Sequence, residues 1–106
     1  MSSSLADELC DCRKLPLLNK DEVEELLLQL VKWQVEDKAL VKKFKFEDFT
    51  ESLKMTNKVG DIAEEMGHHP DLKLGWGYLE ITITTHSAGG LSRADFILAA
   101  KIDRII

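Results

Sequence analysis

Apolar residues recur along this chain in two rhythms, and the points where one gives way to the other outline its elements. Val23, Leu26, Leu27, Leu30 and Val31 fall at helical spacing. Asn19 stands ahead of them as an N-cap, and Asp21 and Glu22 suit the positive end of the helix dipole. This predicts a first helix from about residue 20 to 31. Trp33 to Glu36 then alternates, Asp37-Lys38 is a polar break, and Ala39 to Phe46 alternates again. Leu40, Phe44 and Phe46 share one side, Val41, Lys43 and Lys45 the other. The pattern predicts a hairpin with one buried and one wet face.

From Glu47 the period returns to that of a helix, running to about Met66. Phe49, Leu53, Thr56, Gly60 and Ala63 form one stripe, and Met55, Val59, Ile62 and Met66 a second. Together they are wider than contact with one sheet requires, so the helix is expected to pack on its own sheet and on a partner subunit as well. A fully buried helix in a monomer fits the pattern equally. Gly60 inside a helix costs roughly 1 kcal/mol against alanine, which close approach by a neighbour would explain. Gly67 fits the left-handed position just past the helix end. His69, before Pro70, is biased to extended geometry. Asp71 to Gly75 is weakly patterned, Trp76-Gly77-Tyr78 reads as a turn or strand entrance, and Leu79, Ile81 and Ile83 alternate as a strand. Continued regularly, that strand would turn His86 away from its apolar face. Ser87 to Gly90 is a turn. Ser92 and Asp95 match a capping pattern for a last helix over about 93 to 105, apolar on most sides and so expected to be covered by another element or subunit.

The resulting order is α-β-β-α-β-β-α. It predicts an α+β fold, a four-stranded antiparallel sheet with three helices on one face. Residues 1–18 lack periodicity and are set apart as a loose N-terminal arm, leaving 19–106 as the single domain. The length of 106 residues allows one core. The net charge of -5, without a basic stripe, argues against direct nucleic-acid binding. No run approaches the roughly 20 apolar residues of a membrane span, and the N-terminus lacks the features of a secretory signal, so a cytoplasmic protein is expected. Cys10 and Cys12 form an isolated pair too small for a zinc site and read as incidental.

The chemistry concentrates in one window. All three histidines, His68, His69 and His86, lie within 19 residues. Three imidazoles suit a zinc site, but neighbours in extended chain face opposite ways, which disfavours shared ligation by His68 and His69. Capping or packing accounts for a histidine doublet as readily as chemistry does. Acid/base catalysis is the third reading, since imidazole exchanges protons near neutral pH. Glu64 and Glu65 oppose the dipole at a helix C-terminus, a misfit explained if one carboxylate orients an imidazole. No nucleophile motif or phosphate-binding glycine loop accompanies the cluster. Trp76 and Tyr78 could stack on a planar ring, although aromatics at a strand start more often serve core or interface.

One combination is far more specific. The run Glu64 to Asp71, then Trp76, Ile83-Thr84-Thr85-His86, Gly89-Gly90-Leu91-Ser92, Asp95 and Ala99 to Asp103 resembles the pterin-4a-carbinolamine dehydratase family. The likeness reaches back through Phe44 to Phe49 and Trp33, and covers roughly residues 20 to 105. The resemblance implies the α+β fold just given, assembled as a homodimer or homotetramer. It implies loss of water from 4a-hydroxytetrahydropterin to give quinonoid dihydropterin, in tetrahydrobiopterin recycling, with no metal and no cofactor. By position it carries catalytic or pterin-binding roles to His68, His69 and His86, supporting roles to the carboxylates of Glu64 and Asp95, and places Thr84 and Thr85 in the segment that lines the pterin pocket. Asp95 would orient either His86 or His68, besides capping. Gly67 and Leu72 depart from the family pattern, where Asp or Asn and an aromatic are common. The resemblance also implies an alternative, an interaction protein acting as dimerisation cofactor of a transcription factor through the helix over 47–66.

Overall fold

The alternating runs pair into a single antiparallel sheet, and its register explains which residues enter the core. The computed structural model describes residues 5–9 and 15–106. Its elements are α1 (Lys20–Leu27), β1 (Gln34–Glu36), β2 (Ala39–Lys45), α2 (Phe49–Met66), β3 (Asp71–Gly75), β4 (Tyr78–Ile83) and α3 (Arg93–Ile105). The strands lie in the order β1-β2-β4-β3, all antiparallel. Leu40 faces Ile83 and Phe44 faces Leu79 across β2 and β4, while Leu72 and Leu74 of β3 face Ile81 and Leu79. Because side chains alternate across the pleat, these residues share one face. Leu40, Leu79, Ile81 and Ile83 are wholly buried there, beneath Val59 and Ala63 of α2 and Phe96, Leu98, Ala99 and Ile102 of α3. The opposite face carries Lys43, Glu80 and Lys73 in one row. The predicted α+β class and element order hold.

Local chemistry sets the boundaries. Asn19 accepts from the Glu22 N–H at 2.8 Å and donates its own N–H to the Glu22 carboxylate at 3.0 Å, a capping box that starts α1. That helix ends at Leu27, four residues short of the expectation. Tight turns from Gln29 N–H to the Leu26 carbonyl and Leu30 N–H to the Leu27 carbonyl close it. The chain then bends at Lys32 (φ 61°) and buries Trp33, leaving Val31 exposed. Asp37 and Lys38 both take positive φ, as a two-residue hairpin turn of right-handed strands demands. Weakly patterned residues 71–75 form a true edge strand, β3, held to β4 by backbone pairing.

In α2 the second stripe packs inward, while Phe49 and Leu53 of the first stay exposed. Among the described residues no other element crowds Gly60: beyond the helix's own backbone, a Cβ there would meet no atom within 4 Å. Ser52, absent from both stripes, is buried and donates to the Gly75 carbonyl at 2.9 Å, tying α2 to the β3–β4 turn. The apolar flank of α3 is covered in part from the N-terminal segment. Leu5 and Ala6, in a 3₁₀ turn over Leu5–Asp7, are buried, Lys101 Nζ donates to the Ala6 carbonyl at 2.7 Å, and Arg93 donates to both Glu8 oxygens at 2.7 and 2.6 Å. Cys10 and Cys12 lie outside the described residues. No described helix is long and apolar enough to cross a membrane.

Candidate active site

Two chain reversals build the site. At the end of α2, Gly67 takes a left-handed conformation (φ 70°, ψ 27°). The Gly67 N–H donates to the Glu64 carbonyl at 3.3 Å and the His68 N–H to the Ala63 carbonyl at 3.2 Å. This Schellman arrangement stops the helix and delivers His68 and His69 from its C-terminus. On the other side β4 ends at Ile83, and His86 opens a 3₁₀ turn over His86–Ala88. The strand parity expected to orient His86 therefore does not reach it. Thr85 and Gly90 bridge across this turn, with Thr85 N–H to the Gly90 carbonyl at 2.9 Å.

The reversals meet at a cleft of about 230 Å³ lined by Leu15, Gly67, His68, His69, Thr84, Thr85, His86 and Ser87. All three histidines are thus brought together. Each has a different setting. His68 is buried, and its Nε2 lies 2.6 Å from Oδ1 of Asp95, which is fully buried at the first turn of α3. His69 is exposed and its Nε2 pairs with Glu64 Oε2. His86 is exposed. Asp95 therefore pairs with His68 and not with His86, and it also caps α3, accepting from the Ser92 N–H at 2.8 Å.

The helix ends favour this arrangement. A carboxylate at the start of α3 and a potential imidazolium at the end of α2 both sit where the dipoles stabilise their charges. Among the described residues no buried side-chain nitrogen or oxygen lacks a hydrogen-bonding partner. His68 Nε2 is taken by Asp95 and Nδ1 has no partner among the described residues, so Nδ1 is not sealed in the core. That leaves one imidazole nitrogen anchored and the other without a partner among the described residues.

Other expected residues fall differently. The Thr84 hydroxyl lines the cleft yet donates to the Lys38 carbonyl at 2.7 Å, bracing the β1–β2 turn. Thr85 turns its hydroxyl inward, to Asp95 Oδ2 at 2.8 Å. Trp76 is exposed in the β3–β4 turn, and Tyr78, under the Lys43 ammonium, starts β4. Six strand steps separate Tyr78 from Thr84, about 20 Å at the rise of a β-strand, so neither aromatic lines this cleft. Leu15 and Ser87 were not among the expected residues. Leu15 carries no periodic signal, since it comes from the aperiodic segment before Pro16. Among the described residues no group of three histidines, cysteines or carboxylates is placed to hold a metal ion.

A larger hollow, about 420 Å³, lies between the N-terminal segment, α2 and α3. It holds no histidine, and its cations are committed: Lys101 to the Ala6 carbonyl and Arg104 to Asp7. The histidines line the smaller cleft.

The family model described as pterin 4 alpha carbinolamine dehydratase matches residues 16–105. A protein of Rubrobacter xylanophilus provisionally named pterin-4-alpha-carbinolamine dehydratase is 45% identical over 106 residues, covering 97% of this chain and 99% of its own. A crystal structure from Brucella melitensis, described as a transcriptional coactivator/pterin dehydratase, superposes with a TM-score of 0.79 at 31% identity, covering 83% of this chain and 96% of that one. A pterin dehydratase-like protein identified as a RuBisCO assembly factor in the alpha-carboxysome gives 0.58 at 25% identity, covering 72% and 88%. By the extent of these matches, the chain belongs to the pterin-4a-carbinolamine dehydratase family.

Proposed function

We propose that this protein removes water from 4a-hydroxytetrahydropterin, giving quinonoid dihydropterin, by histidine general acid/base catalysis in tetrahydrobiopterin recycling. The observation that carries the reading is the meeting of His68, His69 and His86 in one cleft, with a buried carboxylate behind His68. Elimination needs a proton delivered to the departing C4a hydroxyl and a proton taken from a ring nitrogen. His68 and His86, reaching the cleft from opposite reversals, form the proton-transfer pair. His69, oriented by Glu64, holds the pterin. Positioned proton transfer of this kind contributes about 10²–10⁴-fold. Dehydration assayed directly with 4a-hydroxytetrahydropterin tests the assignment: His68→Ala and His86→Ala each lose rate, and His69→Ala chiefly raises KM. Retention of the wild-type rate by both His68→Ala and His86→Ala would sink the mechanism.

A second reading is favoured by one observation, the outward stripe of α2. Phe49 and Leu53 are 44% and 40% exposed, on the same stripe as the uncrowded Gly60. This face suits a second copy of the chain, as a homodimer or homotetramer, or a transcription factor for which the protein would serve as dimerisation cofactor. The description of the Brucella structure as a transcriptional coactivator points the same way for that relative. Leu53→Lys would shift the oligomeric state in sedimentation if α2 is the assembly face. Capture of a factor, unchanged in His68→Ala, would support the interaction role.

A further inference from the structure

Thr85 lies on the wall of the cleft, yet its hydroxyl serves the interior, and the directions of the hydrogen bonds around it can be worked out. An ionised carboxylate only accepts. Asp95 Oδ2 is 2.8 Å from the Ser92 backbone nitrogen and 2.8 Å from Thr85 Oγ1, so both groups donate to it. The single hydroxyl proton of Thr85 is thereby spent. Ser92 Oγ, 2.7 Å from Thr85 Oγ1, must then be the donor in that contact. The remaining oxygen, Asp95 Oδ1, accepts from His68 Nε2. Asp95, Ser92 and Thr85 are all buried, and every buried polar side-chain atom among the described residues has a partner. The chain of protons therefore runs one way: Ser92 hydroxyl to Thr85, Thr85 hydroxyl to Asp95, and His68 Nε2–H to Asp95.

We propose that Thr85 and Ser92 are positioning residues whose hydroxyls lock the Asp95 carboxylate in the orientation that fixes His68 as its Nε2–H tautomer, so that His68 exchanges protons with substrate through Nδ1. The catalytic part rests on the dehydratase reading above. The tautomer part does not. With Oδ2 pinned by two donors, the carboxylate cannot rotate away from the ring. The Nε2 proton then stays on the Asp95 side whether the imidazole is neutral or charged. Only the Nδ1 proton comes and goes, and Nδ1 is the nitrogen that has no partner among the described residues. The carboxylate offsets the charge that appears on the ring, as an orienting aspartate does in hydrolytic triads.

The test combines imidazole ¹H–¹⁵N correlation spectra with dehydration rates on the full-length protein. In the wild type His68 is expected as the Nε2–H tautomer. Thr85→Val keeps the shape and removes the hydroxyl, so its His68 signal moves toward a tautomer mixture. Its kcat falls about tenfold, the weight of one hydrogen bond to a charged group. Thr85→Ser restores the hydroxyl and recovers both signal and rate, which a packing role for the methyl group would not produce. Ser92→Ala gives a smaller change in the same direction and serves if Thr85→Val does not fold. Wild-type spectra and rates in both Thr85→Val and Ser92→Ala would overturn the proposal, as would a Thr85→Ser variant as impaired as Thr85→Val. A protein without dehydratase activity that still shows the tautomer shift would refute the pterin reading and leave the positioning role standing.

Discussion

Replacing Asp95 by asparagine separates what this residue does for the fold from what it does for His68. Asp95 is fully buried and accepts three hydrogen bonds: from the Thr85 hydroxyl, the Ser92 N–H and His68 Nε2. Asparagine keeps one carbonyl oxygen, enough for Thr85 and Ser92, and presents an NH₂ group to His68. His68 must then accept at Nε2 and carry its proton on Nδ1, the other tautomer. The charged hydrogen bond is lost, which is worth about 1.5–3 kcal/mol. Asp95→Ala removes both acceptor oxygens with their three hydrogen bonds and leaves buried donors unpaired, so about 3–5 kcal/mol is expected. For a domain of this size each kcal/mol moves Tm by roughly 4–8 °C. Urea unfolding should therefore rank wild type, Asp95→Asn and Asp95→Ala in that order. The dehydration rate should fall by about 10²–10⁴-fold in both variants, although Asp95→Asn loses much less stability than Asp95→Ala. Asp95→Asn with wild-type turnover would refute the tautomer reasoning. Equal destabilisation by Asn and Ala would show that the carboxamide cannot rearrange as argued.

Other consequences follow from single contacts. Gly67→Ala forces a β-carbon into left-handed backbone where nothing crowds it, so its destabilisation should stay near 1 kcal/mol. Activity should fall further than stability, because His68 and His69 hang from that reversal; equal losses in urea unfolding and turnover would contradict this. Asp103 accepts from Trp33 Nε1 at 3.0 Å and from Lys42 Nζ at 2.8 Å, joining α3 to β2 and to the segment before β1. Asp103→Ala should cost about 1–3 kcal/mol and alter the emission of buried Trp33 without changing KM. At the N-terminal segment, the hydrogen bonds from Arg93 hold the Glu8 carboxyl below its ordinary value of 4.5, with burial opposing them. A folded-state pKa below the unfolded one gives stability that is present above about pH 4.5 and lost as pH falls through the folded value. Half-exposed Arg93 keeps this below about 1 kcal/mol. The stability gap between wild type and Glu8→Gln should thus be constant near neutrality and close below pH 4.5; a gap that persists in acid would rule the pair out as its source.

The elements legible in the sequence are those whose burial is one-sided. Leu79, Ile81 and Ile83 are all buried, and their alternation alone announces β4. The edge strand β3 was faint because Asp71, Leu72 and Lys73 are all exposed, so no burial contrast marks its register. Helix α1 was overextended for a related reason: its period continues to Val31, but the need to bury Trp33 against Asp103 bends the chain at Lys32. At the site, spacing brought the histidines under suspicion without separating chemistry from capping. Family likeness, more than periodicity, directed attention to Glu64, Thr85 and Asp95.

What neither periodicity nor likeness distinguishes is the partner of each histidine. His68 and His69 are adjacent in sequence, yet one meets a carboxylate in the core and the other a carboxylate in water. The difference arises at Gly67, whose left-handed backbone turns the next residue under α3 and the one after it outward. A buried imidazole–carboxylate pair is held by packing and by the hydroxyls of Thr85 and Ser92, whereas an exposed pair is held weakly and is free to move with a ligand. The doublet therefore joins a fixed imidazole to an adjustable one. The proposed division between proton exchange at His68 and pterin binding at His69 uses that difference, which two histidines of equal exposure could not provide.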